Sequence, residues 1–414
     1  MSNEIVNEKE INEILEKTKN PSEADIKAVL KEAEKKQGIG LKEAGILVNS
    51  ANSSKEDIFS LAKKIKFDIY GERLVFFAPI YASDFCVNDC EYCGFHDRNK
   101  IGRKKLTAEQ TEEQAKFLIN MGHKRILLEF GEDPKENPIS FVTDTIDAVY
   151  KARTEKGNIR RVNVNIAATT VENYKKLKAA NIGTYQLFQE TYHRATFNKL
   201  HKGPKADYDR QITAHDRAME AGLDDRGIGV LFGLYDWKFE VLALLSHAIY
   251  MDKKHKVGPH TISVPRFCPA PSVKYKPEYP LSDAEFLKLI AILRLAVPYT
   301  GMILSTRENP EVRKAAFTIG ISQASAGSVT ETGGYGKPSK PVCSKTVCSK
   351  PVCSKPVCSK PVCSKTGQFE TRDNRSMQDI IKDAIEDKLL PSFCTACYRM
   401  GRTGENFMEL SKPG

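Results

Sequence analysis

Short apolar runs separated by amphipathic segments recur along the chain from residue 74 to residue 324. Short apolar runs bounded in this way are typical of parallel strands buried on both faces. The pattern therefore predicts eight buried strands. They cover residues 74–78, 125–130, 161–166, 183–188, 227–232, 261–264, 301–305 and 321–324.

The segments between most of these runs carry the signals of helices. Thr107 and Gln110 form a capping-box pattern, and Gly122 lies where that helix would end. Ser282 and Glu285 repeat the pattern before residues 286–296. Strands that alternate with helices favour an α/β fold, here a (β/α)8 TIM-type barrel. A doubly wound open sheet is the alternative, because a strand count taken from one sequence is easily wrong by a strand.

Three further segments flank or follow the predicted barrel, which we place at residues 71–335. Residues 1–70 read as a helical lead-in, with a capping pattern at Ser22 and Asp25. Residues 336–366 contain repeated SKPVC or SKTVC units and are predicted to be a low-complexity insert without packed structure. Residues 367–414 form a C-terminal segment, with a helix predicted at about 377–388.

The net charge of +10 raises the question of a nucleic-acid partner. Part of that charge comes from the insert, which has no acidic residue and contributes Lys340, Lys345, Lys350, Lys355, Lys360 and Lys365. The sequence has no nucleic-acid motif, no secretory signal at its N-terminus and no apolar run long enough to span a membrane. We therefore expect a cytoplasmic protein that binds neither nucleic acid nor membrane.

The strongest chemical signal is a cysteine triplet directly after the first apolar run. Cys86, Cys90 and Cys93 have CxxxCxxC spacing. Three thiolates on one loop can bind three irons of a 4Fe–4S cluster, which normally takes four cysteines, and so leave one iron open to a small molecule. A structural zinc site fits less well because zinc loops usually carry CxxC pairs. Disulfides fit less well because nothing indicates an oxidising compartment.

Polar residues follow the predicted strands at the positions where barrel enzymes carry their chemistry. We expect them to converge on the same rim as the cysteine triplet. They are Gly131, Glu132, Asn163, Asn165, Gln189, Glu190, Tyr235, Asp236, Pro265, Arg266, Ser305, Thr306, Arg307, Ser325 and Ser328.

Several long strings carry a resemblance to a known family. They are CVNDCEYCGF, GEDP, RRVNVNIAATTVENYKKL, GTYQLFQETYH, GPHTISVPR, YTGMILSTREN, GISQASAGS and CTACYRMGRTGE. Together they resemble the HydG family of radical S-adenosylmethionine (SAM) tyrosine lyases, which mature FeFe-hydrogenase. The resemblance covers nearly all of residues 60–335 and 367–414. It implies cleavage of tyrosine between Cα and Cβ to p-cresol and dehydroglycine. It also implies a second, C-terminal iron–sulfur cluster where the fragment becomes carbon monoxide and cyanide on iron.

The resemblance also assigns site residues. It implies that Cys86, Cys90 and Cys93 hold the 4Fe–4S cluster that binds SAM. It places Tyr92, Gly131, Glu132, Asn165, Glu190 and Arg210 around SAM, with Tyr92 beside the adenine and Gly131–Glu132 at the methionyl amino group. Glu190 and Arg210 would supply one partner of each sign to a zwitterion. Arg307 would clamp the tyrosine carboxylate, with Ser305 and Ser328 as hydrogen-bonding neighbours.

The second cluster is expected to use Cys394, Cys397 and the histidine of GPHTISVPR, His260. The family pattern continues with a third cysteine, and none follows Cys397 before Gly414. The sequence therefore predicts an incomplete second cluster, unless a cysteine of the insert or an outside ligand substitutes.

The resemblance implies three kinds of partner: tyrosine and SAM, an electron donor such as ferredoxin or flavodoxin, and other hydrogenase maturases. Two alternatives stay open. A thiamin-pathway tyrosine lyase would share the barrel and the first half-reaction, although CTACYRMGRTG and His260 disfavour it because that branch lacks the second cluster. A non-catalytic iron–sulfur or metal-binding scaffold would use the cysteines without turnover.

Overall fold

The computed structural model of this chain describes residues 2–270, 273–336 and 366–393. Its centre is a closed barrel of eight parallel strands. The strands are β1 (Arg73–Ser83), β2 (Arg125–Phe130), β3 (Arg161–Asn165), β4 (Tyr185–Gln186), β5 (Arg226–Gly229), β6 (Thr261–Ser263), β7 (Gly301–Leu304) and β8 (Gln323–Ser325). Each of the eight predicted apolar runs overlaps one of these strands.

Strand β1 closes the barrel because it pairs with a neighbour on each side. Its residue Val75 lies opposite Gln323 of β8, and Ala78 lies opposite Ile126 of β2, both in parallel register. An open doubly wound sheet has two free edges and no such first-to-last pairing. The (β/α)8 barrel prediction is therefore confirmed, and the open-sheet alternative is excluded.

The helices follow the order that the periodicity predicts, with five helices before the barrel. These are α1 (Ser2–Ile5), α2 (Glu8–Lys17), α3 (Glu23–Ala33), α4 (Leu41–Asn49) and α5 (Lys55–Tyr70). The barrel and the segment after it contain α6 (Ala108–Asn120), α7 (Ile139–Lys151), α8 (Val171–Ala179), α9 (Arg194–Leu200), α10 (Tyr208–Ile212), α11 (Ala214–Glu220), α12 (Trp237–His255), α13 (Asp283–Ala296), α14 (Pro310–Ile319) and α15 (Met377–Glu386). A short hairpin joins Arg153–Thr154 to Gly157–Asn158 after α7.

The predicted helix starts are present as capping boxes. At the start of α6, Thr107 Oγ1 accepts from the Gln110 backbone N–H at 3.2 Å, and the Gln110 side chain accepts from the Thr107 N–H at 3.0 Å. Ser282 and Glu285 do the same at the start of α13. Gly122 ends α6 with a φ of +105°, a conformation that glycine adopts without a steric cost.

A ninth strand, β9 (Leu390–Ser392), was not predicted. It pairs in parallel with Arg73–Val75, the first residues of β1, at the amino end of the barrel. Its sequence is Leu-Pro-Ser, which has neither an apolar run nor alternation. Proline cannot donate to a ladder and is confined to edge positions, so a strand of this kind gives no sequence signal.

The segment from 366 to 376, here called the strap, crosses the carboxyl end of the barrel. Its backbone N–H groups donate to three barrel loops: Gln368 to the Thr330 carbonyl at 3.3 Å, Glu370 to Pro269 at 2.9 Å and Arg372 to Thr306 at 2.9 Å. The Gln368 carbonyl also accepts from Gly94 N–H at 3.0 Å. The strap therefore joins the loops after β6, β7 and β8 to the cysteine loop after β1.

Helices pack around the barrel in two buried apolar clusters, and the helices before β1 extend one of them. Lys288 of α13, for example, donates to the Ser50 carbonyl at 2.7 Å, at the end of α4. Within the described ranges, no helix has the length and apolar character that crossing a membrane requires.

Candidate active site

A cavity opens at the carboxyl end of the barrel, inside the ring of strands. Its lining combines the cysteine loop, inward-facing strand residues, the loops that follow the strands and two residues of the strap. Among the side chains that line it are Tyr81, Cys86, Cys90, Tyr92, Cys93, Glu129, Glu132, Asn165, Glu190, Lys205, Cys268, Ser305, Arg307, Ser328, Gln368 and Phe369. Most of the sequence-predicted site residues therefore meet at one place.

The cysteine loop is fixed by a single guanidinium. Arg103 donates to the backbone carbonyls of Asp84 at 2.6 Å, Phe95 at 2.8 Å and His96 at 2.7 Å. These carbonyls flank the cysteines on both sides, so one cation satisfies acceptors that a loop outside regular structure leaves without ladder partners. The cysteine loop therefore has a defined conformation.

Gly131 allows the loop after β2 to lie directly against the cysteine loop. A Cβ at this position would meet the Phe85 carbonyl oxygen at 2.3 Å and Cys86 Cβ at 3.0 Å. Real Cβ atoms do not come this close to backbone, so any larger residue would push the two loops apart. The predicted role of Gly131 in cofactor binding stays a prediction, but its need for glycine comes from this contact.

The three thiols are in surroundings that keep them protonated, and therefore neutral, until a metal binds. Burial raises the pKa of all three thiols. The pKa of Cys90 lies far above its usual range, and the pKa of Cys93 is about 11. Lys205 opposes this, because its charge lowers the pKa of all three. A cluster that brings positive iron would deprotonate such thiols, and Lys205 would offset the negative charge that the thiolates add.

The thiols are not gathered around one point. Among the described residues, no three His, Cys, Asp or Glu side chains approach closely enough to share a single metal ion. This disfavours the zinc alternative, which needs its ligands at one centre. A 4Fe–4S cluster instead binds each cysteine through a different iron, so its ligands need only surround a cluster-sized space. Three thiols on one loop at the cavity wall fit that group.

Tyr92 is locked against the barrel by His201. The Tyr92 hydroxyl lies 2.7 Å from His201 Nε2, and His201 Nδ1 lies 2.8 Å from the Phe197 carbonyl. Because a carbonyl only accepts, Nδ1 donates there and Nε2 accepts the proton of Tyr92. Burial lowers the pKa of His201 to about 3, which keeps the ring in this neutral form. His201 is a site residue that sequence reasoning missed, since a histidine before a Gly-Pro turn carries no distinctive signal.

The acidic and basic residues predicted to contact SAM do not pair with each other. Glu190 accepts from Lys205 at 2.9 Å, whereas Arg210 donates to Glu132 at 2.6 Å. Arg210 does not line the cavity, but it pairs with Glu132, which does. Lys205, which the sequence analysis did not select, is the cation beside Glu190 and the cysteines. Burial alone would lower the pKa of Lys205, but Glu190 and Cys90 raise it above its usual range.

Two further details mark these loops as specialised. Glu190 has a φ of +69°, a conformation that costs energy for a residue with a Cβ and is often found at functional sites. Asn88, between the cysteines, donates from Nδ2 to Glu132 at 2.6 Å and accepts at Oδ1 from the Lys205 N–H at 2.8 Å. Asn88, also missed by sequence reasoning, therefore ties both ion pairs to the cysteine loop.

The residues predicted to bind substrate line the same cavity. Arg307 lies against the Phe369 ring of the strap, and its own N–H donates to Ser305 Oγ at 3.4 Å. Ser328 Oγ is buried and has no hydrogen-bond partner within the described part of the chain. A buried hydroxyl without a partner is costly unless a ligand supplies one. Their assignment to tyrosine remains a prediction.

His260 lies at the other end of the barrel. It directly precedes β6 and does not line the cavity, and its Nδ1 is 3.8 Å from Asp225 Oδ1. Strand β9, whose last residue is Ser392, lies at this same amino end. Cys394 and Cys397 themselves fall outside the described residues, as do the insert cysteines, so the ligands of the second cluster stay predictions.

Two family descriptions match the chain over consecutive parts of the barrel. Residues 80–245 match the Radical SAM superfamily. Residues 263–389 match the Biotin and Thiamin Synthesis associated domain. The first match contains the cysteine triplet, Glu132, Glu190 and Lys205, and the second contains Arg307, Ser328 and the strap.

Solved structures and a curated relative extend this similarity. The chain aligns with a crystal structure of HydG, described as a maturase of the FeFe-hydrogenase, at 48% identity and a TM-score of 0.88, covering 99% of this chain and 85% of that chain. It aligns with HydG from Carboxydothermus hydrogenoformans at 38% identity and a TM-score of 0.84, covering 100% and 88%. It is also 28% identical to 2-iminoacetate synthase of Salmonella typhimurium, over 70% of this chain and 79% of that protein.

Proposed function

Because this chain belongs to the HydG family of FeFe-hydrogenase maturases, we propose that it is a radical SAM tyrosine lyase. It cleaves the Cα–Cβ bond of tyrosine to give p-cresol and dehydroglycine, as a step in hydrogenase maturation. The observation that carries this proposal is the shared cavity. The cysteine triplet follows β1, Arg307 follows β7, and both line this cavity, so a cofactor held by the first and an amino acid held by the second would meet inside it.

When bound, a 4Fe–4S cluster with SAM supplies a 5′-deoxyadenosyl radical and so carries the hard chemistry. Cys86, Cys90 and Cys93 would hold this cluster. Lys205 would offset its negative charge, and Glu190 would remain beside Lys205 as the acidic partner of the SAM zwitterion. Tyr92, fixed through His201, would form the wall against which the cofactor lies.

Further cofactor contacts belong to the same proposal. Gly131 and Glu132 would present the loop after β2 to the methionyl end of SAM, with Glu132 oriented by Asn88 and Arg210. Arg210 would therefore act through Glu132 instead of contacting SAM directly. Asn165 lies on the same rim, opposite Glu129 in the register of β2 and β3.

Arg307 would bind the carboxylate of tyrosine. A guanidinium offers a planar fork of donors that matches a carboxylate. The Phe369 ring packs against the guanidinium of Arg307 and limits its orientation. Ser305 and Ser328 would add hydrogen bonds at the same wall. The strap covers the cavity with Gln368 and Phe369, which would keep water away from a reactive carbon radical.

A second site for the later steps is also proposed. Cys394, Cys397 and His260 would hold a second iron–sulfur cluster, where dehydroglycine becomes carbon monoxide and cyanide on iron. The position of His260 and β9 at the amino end of the barrel supports a site separate from the SAM cavity. In this scheme the chain is divided into a helical segment at 1–70, the barrel at 71–335, the insert at 336–366 and the cluster-binding segment at 367–414.

The partners follow from the chemistry. Radical SAM enzymes need SAM and a one-electron reductant, for which ferredoxin or flavodoxin is the proposed donor. Tyrosine is the proposed substrate, and other hydrogenase maturases are the proposed recipients of the product.

The test is anaerobic turnover of reconstituted protein with SAM, tyrosine and dithionite, with 5′-deoxyadenosine, p-cresol and carbon monoxide measured together. We expect 5′-deoxyadenosine and p-cresol, and a Cys90→Ala variant as control should make neither. No p-cresol from protein with a full SAM cluster would overturn the lyase proposal. p-Cresol without carbon monoxide would support the lyase and overturn the second site.

The second candidate function is that of a tyrosine lyase that stops at the imine, as the name of the 2-iminoacetate synthase relatives indicates for those proteins. The same cavity would perform it. Release of free dehydroglycine, recovered as glyoxylate after hydrolysis and without carbon monoxide, would favour it.

A further inference from the structure

The charged side chains that line the cavity are Glu129, Glu132, Glu190, Lys205 and Arg307. Glu190 pairs with Lys205, and Glu132 pairs with Arg210. Within the described residues, the remaining two, Glu129 and Arg307, form no ion pair with any side chain. They have opposite signs and face the same space, and they influence each other electrostatically. The cavity therefore offers one acidic and one basic group that are not already engaged in ion pairs.

Glu129 is held on the barrel wall and not on a mobile loop. It lies in β2 between Tyr81 of β1 and Asn165 of β3, in parallel register with both. Asn165 lies beside it on the neighbouring strand and lowers the pKa of its carboxyl group, and the part of Glu129 that is exposed faces the cavity. Strand positions hold a side chain more accurately than loops do.

A carboxyl group in this position is costly to the fold. Burial raises the pKa of Glu129 to about 8, and neighbouring Glu190 adds to the rise, while Arg307 and Asn165 act in the opposite direction. Most barrel interiors are filled with Val, Ile and Leu at such positions. A titratable group with a strongly shifted pKa in a cavity is a candidate for function.

The chemistry of tyrosine cleavage requires an acceptor for a proton. A zwitterionic tyrosine carries a −NH3⁺ group, whereas the imino acid HN=CH–COO⁻ and p-cresol together hold one proton fewer. The nitrogen must lose that proton before its lone pair can become part of the C=N bond. An active site for this reaction therefore needs an acid–base group beside the substrate nitrogen.

We propose that Glu129 binds the α-amino group of tyrosine and accepts this proton. In this step an N–H bond breaks and an O–H bond forms on the Glu129 carboxylate, and no electron leaves or enters. Arg307 holds the substrate carboxylate at the same time, so the two groups fix both charged ends of the amino acid. The inference rests on the proposed function, because it assigns the nitrogen partner for that reaction.

Neither of the other two acids is free for this role. Both carboxylate oxygens of Glu132 are occupied, by Asn88 and Arg210. Glu190 is bound to Lys205 beside the cysteines. The positive charge of a bound α-amino group would lower the pKa of Glu129 from about 8, so that the carboxyl group is ionised when tyrosine binds and can then accept the proton.

The first experiment measures binding of tyrosine and of 3-(4-hydroxyphenyl)propanoate, which lacks only the amino group, to reconstituted enzyme with SAM. The wild type should prefer tyrosine. Glu129→Gln should weaken tyrosine binding by about tenfold or more, the usual effect of losing a hydrogen bond to a charged group. It should leave binding of the propanoate unchanged, which a general disturbance of the cavity would not do.

Two further variants sharpen the result. Glu136→Gln makes the same chemical change on a carboxylate that does not line the cavity, and it should keep the preference for tyrosine. Glu129→Asp retains the charge and should recover part of the preference. Equal discrimination by the wild type and Glu129→Gln would overturn the proposal.

The second experiment measures turnover. Glu129→Gln should still make 5′-deoxyadenosine from SAM, but the amount of p-cresol per 5′-deoxyadenosine should fall by about 10²-fold or more, the range typical of a lost acid–base group. If the wild type makes p-cresol and Glu129→Gln makes as much of it per 5′-deoxyadenosine, the role of Glu129 is contradicted and the lyase proposal stands. Wild type that makes no p-cresol would sink the lyase proposal itself, so the two failures are distinguishable.

Discussion

The guanidinium carbon of Arg307 lies 3.3 Å from the centroid of the Phe369 ring. Arg307 follows β7, whereas Phe369 belongs to the strap, which the chain reaches only after the insert. The residue proposed to bind the substrate carboxylate is therefore oriented by a segment outside the eight-stranded barrel. Loss of this ring should affect substrate binding more than SAM chemistry.

Phe369→Leu should raise the KM for tyrosine by about three- to tenfold, the equivalent of one partly buried cation–π contact. The variant should keep its KM for SAM, because Phe369 is not one of the residues proposed to bind the cofactor. Steady-state p-cresol formation at varied tyrosine and varied SAM separates the two constants. An equal rise in both would show that the ring supports the whole cavity instead of Arg307.

Arg307→Lys should weaken tyrosine binding by about tenfold or more, because an ammonium cannot replace the planar fork of a guanidinium on a carboxylate. Formation of 5′-deoxyadenosine in the absence of tyrosine should remain at the wild-type rate. Tyramine, which lacks the carboxylate, should bind the variant and the wild type equally. A variant that discriminates tyrosine from tyramine as well as the wild type does would contradict the assignment.

His201→Phe should destabilise the protein by about 1–3 kcal/mol, because it leaves the buried Tyr92 hydroxyl without its acceptor. Adding Tyr92→Phe removes that unsatisfied hydroxyl and should restore part of the loss. Urea unfolding of the three variants before cluster reconstitution measures this. Additive losses in the double variant would indicate that the two side chains do not interact.

Buried histidines should make the fold sensitive to acid. Burial lowers the pKa of His123 to about 4 and the pKa of His247 to about 3, below the ordinary value of about 6.5. The unfolded chain therefore binds protons that the native state refuses, and stability falls as the pH drops from about 6.5 towards 4. Thermal unfolding at pH 7.5 and pH 5 should show a lower Tm at pH 5, with a smaller difference in His123→Met.

Glu240 should act in the opposite direction. Burial raises its pKa to about 8, although it accepts from the Thr191 hydroxyl and, at 2.9 Å, from the Tyr192 N–H. The native state then holds a proton that the unfolded state releases, and stability falls as the pH rises from about 4.5 through 8. Glu240→Gln, which resembles the protonated acid, should gain stability relative to the wild type between pH 7 and pH 9. A constant difference across that range would contradict the raised pKa.

The sequence predicted the features whose causes are local. Each of the eight apolar runs became a strand, and the capping boxes at Thr107 and Ser282 formed because the paired residues are only three positions apart. The cysteine triplet was recognisable for the same reason, since three ligands on one loop need no tertiary contact to be brought together. Strand β9 was not predicted, because Leu-Pro-Ser becomes a strand only where β1 offers an edge.

What only the tertiary structure decided is which charges meet. The sequence suggested Glu190 and Arg210 as two partners of SAM, but packing placed Lys205 beside Glu190 and paired Arg210 with Glu132. It also brought Glu129 and Arg307 to the same cavity, although they are far apart in the chain and no spacing rule connects them. The energy of an ion pair depends on distances and burial that are set by the closed barrel. The sequence alone therefore determined the barrel and its cysteine loop, whereas the arrangement of charges around the substrate depended on how the strands closed.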